Sequence, residues 1–308
     1  MKLFDLHCDT LGRSIDENKD LFSRNFHTDI SKCKKFDGWI QCFAIFIPDE
    51  IRGNDALKLF NSAKEKLLKS CANSNDLTFC NTYEDLKNFV PKKCNAIFTV
   101  EGGAVLAGNI SNLEHLHKSG VKMMTLTWNG ECEIGSGAFS QENSGLSEFG
   151  KKVVKRMQEL NMAIDVSHAS DKLFFDVLDI TKAPIVASHS NSRAVCKHRR
   201  NLTDEQFGII KDRGGLVGLN FCKDFLSSGE EASAYDILKH AEHFLSLGGE
   251  NTVCLGSDFD GASMPHGITG TESMLDLYEL FLKSGYNETL VDDIFFNNAY
   301  NYFEKLLR

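Results

Sequence analysis

Six histidine and acidic side chains stand where short apolar segments of the chain end, and these residue types bind metal ions in proteins. The first two, His7 and Asp9, follow the apolar residues 3–6 at alternate positions. Side chains two positions apart on a strand point the same way, roughly 6–7 Å apart along it. Such a pair could hold one metal ion, or it could be a buried histidine beside a capping aspartate.

The other four residues have the same placement, since Glu101, His168, His189 and Asp258 each follow a further apolar segment. In a parallel barrel the C-terminal ends of the strands meet at one rim, which is where active sites of such barrels lie. Taken singly, each residue is explained by packing or by surface exposure. Taken together at one rim, the six indicate a metal centre.

Eight apolar segments alternate with helical patterns, and no two successive segments are joined by a hairpin turn. Short, continuously apolar segments are typical of parallel strands that are buried on both faces. We predict a single-domain α/β fold, a (β/α)8 TIM barrel of residues 1–308, with residues 11–35 as an irregular loop over the site. A doubly wound open sheet is the alternative, but no GxGxxG motif follows the first strand. The predicted strands are residues 3–6, 39–47, 96–100, 121–127, 162–166, 184–187, 216–219 and 253–256.

Composition narrows the class of protein. The net charge of −9 gives no support to a nucleic-acid or membrane partner. The 10 cysteines contain no CxxC pair, which argues against a disulfide scaffold and against a cysteine-based zinc site. The apolar runs are too short to span a bilayer, and the first strand begins too close to Met1 for a signal peptide. We therefore expect a reduced, cytoplasmic protein, with a homodimer as a candidate assembly.

Three histidines with two or three carboxylates suit a pair of Zn²⁺ ions, with Glu101 available to bridge them. Two such ions lower the pKa of a shared water and polarise a carbonyl group. Asp258 could then carry the proton from the nucleophile to the leaving group. This chemistry is hydrolysis by water, and it needs no serine or cysteine nucleophile.

The motifs that carry these residues resemble those of the membrane (renal) dipeptidase family, zinc-dependent peptidases of the amidohydrolase-like superfamily. The resemblance runs from residue 3 to the last helix, so it covers nearly the whole chain. Members of the wider superfamily usually begin with HxH, and Asp9 in the second position favours the dipeptidase branch. The matching motifs are FDLHCDT at 4–10, VEG at 100–102, VSH at 166–168, SHS at 188–190, RRN at 199–201 and GSDFDG at 256–261.

The resemblance implies a (β/α)8 barrel with two zinc ions that hydrolyses dipeptides with a free C-terminal carboxylate. By matching motif, His7 and Asp9 would hold one zinc, and His168 and His189 the other. Glu101 would bridge the two ions.

The resemblance also implies substrate contacts. Asp258 would be the acid/base beside the bridging water, and Arg200 would bind the carboxylate of the dipeptide with its guanidinium fork. Animal members place a substrate-contacting histidine after the fourth strand, where this chain has Trp128 and Asn129. We expect one of these two to face the substrate, because neighbouring strand side chains alternate, and we favour Trp128 as a pocket wall.

Two other functions remain open at this point. The first is another amidohydrolase activity, such as that of a deaminase, a lactonase or a cyclic amidase. Arg200 argues against it, because a neutral ring substrate does not require a carboxylate clamp. The second is a barrel that uses its metal sites for binding or regulation, although such a barrel would be expected to have lost a ligand or Asp258.

Overall fold

The computed structural model describes residues 1–229 and 231–308, and at its centre is a closed barrel of parallel strands. Around the barrel the order is β2-β1-β9-β8-β7-β6-β5-β4, and pairing of β2 with β4 closes it. The predicted (β/α)8 barrel is therefore confirmed. The strands are β1 (Lys2–Cys8), β2 (Gly38–Phe46), β3 (Leu77–Phe79), β4 (Cys94–Glu101), β5 (Val121–Thr125), β6 (Ala163–Asp165), β7 (Val186–Ala187), β8 (Leu216–Leu219) and β9 (Val253–Leu255).

Strand β3 is the one strand that the sequence pattern did not predict. It pairs with the first part of β4, from Leu77 opposite Cys94 to Phe79 opposite Ala96. β5 joins β4 only further along, where Val121 lies opposite Phe98. β3 thus adds a short ninth strand at the N-terminal edge of the barrel without taking part in its closure.

The segment 11–35, expected to be an irregular loop, contains a helix that begins directly after Asp9 and a 3-10 helix at Ile30–Lys35. The first of these buries Leu11 and Ser14 against the barrel. The helices are α1 (Thr10–Asp16), α2 (Gly53–Ala72), α3 (Tyr83–Lys87), α4 (Ser111–Lys118), α5 (Glu148–Glu159), α6 (Asp171–Ile180), α7 (Asp204–Asp212), α8 (Lys223–Leu226), α9 (Ala234–Ser246), α10 (Ser273–Lys283), α11 (Glu288–Asp292) and α12 (Asn298–Leu307). A π-helical segment, Asp293–Asn297, joins α11 to α12.

The core has two parts, one between the barrel and its helices and one inside the barrel. The inner part includes Phe4, Ile40 and Ile97, and α12 adds Phe303, whose ring centroid lies 5.3 Å from that of Phe4. Because Phe4 lies near the start of β1, α12 closes the N-terminal end of the barrel. The C-terminal ends of the strands are left free to form a site. None of the helices described combines the length and the apolar character needed to cross a membrane.

Candidate metal centre

The C-terminal ends of the strands bring the predicted ligands together. His7 lies in β1, Asp9 follows it, and Glu101 is the last residue of β4. His168 and His189 lie just beyond β6 and β7. All of these side chains are buried or nearly so.

The ligands form two pairs on either side of one carboxylate. His7 Nε2 lies 3.3 Å from Asp9 Oδ2, and His168 Nε2 lies 2.9 Å from His189 Nε2. Glu101 stands between the pairs, with Oε2 3.6 Å from His7 Nε2. Its Oε1 is 2.8 Å from His168 Nε2 and 3.4 Å from His189 Nε2. Each carboxylate oxygen of Glu101 therefore faces a different pair.

The donor set fits cations. Asp9 Oδ1 is buried without a hydrogen-bond partner in the described part of the chain, which is costly for a carboxylate oxygen unless a cation satisfies it. Burial opposes charge on His7, yet Asp9 and Glu101 outweigh it and raise the pKa of His7 to about 10. Burial, helped by the positive charge of Arg200, instead lowers the pKa of His168 to about 3. The half of the site around His7 thus attracts positive charge. The half around His168 offers the lone pair of a neutral imidazole, as metal ligation requires.

Unusual backbone conformations accompany two of these side chains. His168 has φ +64° and Asp258 has φ +60°, in the left-handed region that non-glycine residues seldom adopt. Each such residue costs on the order of 1–2 kcal/mol, so the surrounding structure must hold it. The main chain does so, because the His168 carbonyl accepts from Ala138 N–H and Asp258 N–H donates to the His7 carbonyl.

A hydrogen bond on the far side of the His168 imidazole fixes how this ring faces the centre. Asn129 Oδ1 lies 2.9 Å from His168 Nδ1, and an amide oxygen only accepts, so Nδ1 donates. This leaves the lone pair on His168 Nε2 free for a metal ion. Asn129 was predicted as a substrate contact, and its bond to His168 gives it an orienting role as well.

A cavity of about 610 Å³ opens above the ligands. Trp128 and Asn129 both line it, whereas one of the two was expected to face the substrate because strand side chains alternate. β5 ends at Thr125, and strand alternation therefore does not extend to these residues. The Trp128 ring lies 4.7 Å from that of Phe46 and forms part of an apolar wall with Ile45, Ile51 and Leu59.

Arg200 lies beside His189 and is only 3% exposed. Its Nη2 donates to the His189 carbonyl at 3.2 Å, and its guanidinium carbon lies 5.4 Å from the centre of the Phe225 ring. Its Nε has no hydrogen-bond partner among residues 1–229 and 231–308. Within the described residues no carboxylate oxygen lies within 4.0 Å of the guanidinium. In the described part of the chain, Arg200 is thus a buried cation with no carboxylate in direct contact.

Two residues beside the site were not assigned a role from the sequence. Asn220, directly after β8, donates from Nδ2 to Asp258 Oδ2 at 3.0 Å. The strand-end rule that found the ligands could also have found Asn220. At Gly261 an added Cβ would lie 2.0 Å from Asp9 Oδ2 and 2.8 Å from Asp258 Oδ1. The close approach that demands this glycine is visible only in three dimensions.

Comparisons of sequence agree with this geometry. The sequence profile of the membrane dipeptidase family, peptidase family M19, matches residues 1–306. A Klebsiella pneumoniae protein, described as an uncharacterized protein in the pqqA 5' region, is 31% identical over 233 residues, which cover 72% of this chain and 86% of that protein. Dipeptidase 3 of Mus musculus is 28% identical over 310 residues, which cover 96% of this chain and 62% of the mouse protein.

Solved structures give the same result. The crystal structure of dipeptidase AC, a metallopeptidase of family M19, superposes with a TM-score of 0.90 and 28% identity, over 100% of this chain and 99% of that one. A Rhodobacter sphaeroides metallopeptidase, bound to a phosphinate mimic of the dipeptide L-Ala-D-Ala, has a TM-score of 0.90 and 27% identity over 99% of each chain. With the family profile matched from end to end, the chain belongs to the membrane dipeptidase family, peptidase family M19, and is a metal-dependent dipeptidase.

Proposed function

We propose that this protein uses two Zn²⁺ ions to hydrolyse the peptide bond of dipeptides that have a free C-terminal carboxylate. The observation that carries the proposal is the position of Glu101, with one oxygen towards His7 and the other towards His168 and His189. Imidazole and carboxylate ligands of this kind suit zinc. When bound, two such ions lower the pKa of a water and polarise the scissile carbonyl.

Asp258 is the proposed acid/base. Asn220 occupies its Oδ2 through a hydrogen bond, while Oδ1 lies 3.9 Å from His7 Nε2 beside the ligands. An oxygen in that position can accept the proton of the attacking water and pass it to the amine that leaves. The left-handed backbone at Asp258 is consistent with a side chain held for function rather than for packing.

Arg200 supports the choice of substrate. A buried guanidinium without an anionic partner is unfavourable, and the carboxylate of a dipeptide would supply that partner. The cavity of about 610 Å³ is of the size that small-molecule sites have. The dipeptide mimic held by the Rhodobacter sphaeroides relative is a ligand of the same chemical class.

Metal analysis tests the two-ion site. Protein purified without chelator should contain about two equivalents of metal, mainly zinc. Glu101→Gln should weaken the binding of both ions together, because its two oxygens face both ligand pairs. One equivalent or none, persisting after zinc is supplied, would contradict the proposal.

Paired substrates test the carboxylate requirement. The native enzyme should cleave a free dipeptide much faster than its C-terminal amide, and Arg200→Ala should raise KM for the free form. Arg199→Ala is the matched control, since Arg199 is exposed and its guanidinium lies over Phe139. Equal cleavage of the free and amidated forms would exclude the carboxylate clamp.

A further inference from the structure

Beneath the ligands, two fully buried aspartates each hold a serine that directly precedes a site residue. Asp165, the last residue of β6, contacts Ser188, which precedes His189. Asp5, in β1, contacts Ser257, which precedes Asp258. Neither aspartate lines the cavity, so each acts on the site through the groups that it holds, and its serine is one of them.

The contacts of Asp165 make it an acceptor on both oxygens. Its Oδ1 accepts the backbone N–H groups of Ser167 and Ser188, both at 2.9 Å. Its Oδ2 accepts the hydroxyl groups of Thr125 at 2.5 Å and Ser188 at 2.6 Å. A carboxylate that accepts four hydrogen bonds has no proton to donate, so the Ser188 hydroxyl hydrogen points to Asp165.

The direction of the hydrogen bond from Ser188 to Asp165 decides which ring nitrogen of His189 carries the hydrogen. His189 Nδ1 lies 2.7 Å from Ser188 Oγ, and the only hydrogen of that hydroxyl is already given to Asp165. The ring must therefore donate from Nδ1, which leaves Nε2 as a lone pair facing Glu101. We infer that Asp165, acting through Ser188, fixes the tautomer of His189 that presents Nε2 to a metal ion. The inference rests on the proposed function, in which His189 is a zinc ligand, and it makes Asp165 a positioning residue.

The second pair has the same form without the link to an imidazole. Asp5 accepts Ser257 N–H at 2.8 Å and the Ser257 hydroxyl at 2.6 Å. The other contacts of that hydroxyl are main-chain groups, the His7 carbonyl and the Phe259 N–H, both at 3.2 Å. Ser257 therefore offers a matched control, a buried serine that is held by a buried aspartate but sets no tautomer.

Asp165→Asn is the decisive variant because it reverses the chain of hydrogen bonds. With its oxygen towards the two backbone N–H groups, the amide NH₂ takes the place of Oδ2 and donates to Ser188. The hydroxyl hydrogen then turns to His189 Nδ1, and the ring hydrogen moves to Nε2. We expect a loss of about 10- to 100-fold in the affinity for one of the two zinc ions, the usual effect of removing such a partner.

Chelator competition measures the zinc affinities, and ¹⁵N spectra of histidine-labelled, metal-free protein report the tautomer of His189. Ser188→Ala should also weaken one zinc site, whereas Ser257→Ala should lower the melting temperature to a similar extent and keep both affinities. If Asp165→Asn fails to fold, Ser188→Ala decides the question alone. Native zinc affinity and a native tautomer in the variants of Asp165 and Ser188 would overturn the inference. A native protein that binds no zinc would refute the proposed function instead, and its spectra would still reveal the tautomer.

Discussion

Gly261 offers a sharp test of the metal centre, because it is the place where one added carbon atom reaches a ligand. In Gly261→Ala the new Cβ would lie 2.0 Å from Asp9 Oδ2 and 2.9 Å from Asp9 Cγ. It would also lie 2.8 Å from Asp258 Oδ1. Side-chain atoms do not approach a Cβ so closely, so Asp9 has to turn away.

The size of the effect follows from the distance. The oxygen of Asp9 must retreat from 2.0 Å to an ordinary contact distance, a shift of more than 1 Å. Metal–ligand distances vary by only about ±0.2 Å, so a ligand that moves this far is lost. Removal of an outer hydrogen-bond partner lowers metal affinity by roughly 100-fold, or about 2.7 kcal/mol. Loss of a direct ligand should lower the zinc affinity by at least as much.

Zinc titration against a chelator measures this loss, and thermal unfolding checks the fold. The fold should survive, since Gly261 does not have a positive φ that an alanine would find strained. Gly208→Ala is the control, because a Cβ at this position in α7 meets no atom within 4 Å. It should keep both zinc affinities and raise stability by about 0.5–1 kcal/mol. Native zinc affinity in Gly261→Ala would refute the arrangement of Asp9 as a ligand.

Three further outcomes are expected. Asp258→Asn should keep its zinc and lose on the order of 10²–10⁴ in kcat, the usual contribution of a general acid/base, and loss of metal with activity would make Asp258 a ligand. Trp128→Phe should keep most of kcat if Trp128 is a pocket wall, whereas a fall of about 10²-fold or more would identify its indole N–H as an oxyanion donor. Burial lowers the pKa of His240 to about 4 from its ordinary 6.5. Below pH 6.5 the unfolded chain therefore binds a proton that the folded chain does not bind, and the protein becomes less stable as the pH decreases. Between pH 7 and pH 5 the free energy of unfolding, measured with urea, should therefore decrease by about 2 kcal/mol more in the native protein than in His240→Gln. Equal decreases would contradict the lowered pKa of His240.

The barrel and its ligand rim could be predicted from the sequence because both follow a local rule. Apolar segments predict buried parallel strands, and the residues that end them meet at one rim. Leu77–Phe79 was missed because it lies within a largely polar stretch of the sequence, residues 72–88. α1 was missed because its apolar positions are few and because its N-cap, Asp9, is a proposed metal ligand that makes no side-chain capping bond.

The supporting contacts could not be predicted, because they join residues that are far apart in sequence. Asn129 meets His168 39 positions later, and Asn220 meets Asp258 38 positions later. Asp165 lies within the predicted strand 162–166, and its four hydrogen-bond donors are seen only in the folded chain. Spacing identifies which residues reach the rim, whereas orientation depends on neighbours that only the folded chain brings together.

The closure of the barrel has a consequence for the order of events during synthesis. β1 pairs with β9, and Ser257 reaches Asp5 from 252 residues further along the chain. A chain leaves the ribosome from its N-terminus at about 5–20 residues per second, so the last strand emerges many seconds after the first. All five proposed zinc ligands, the last of which is His189, are made before the closing strand and Asp258. The proposed acid/base and the strand that closes the barrel are therefore the last parts of the centre to be synthesised, and the complete centre forms only after both have emerged.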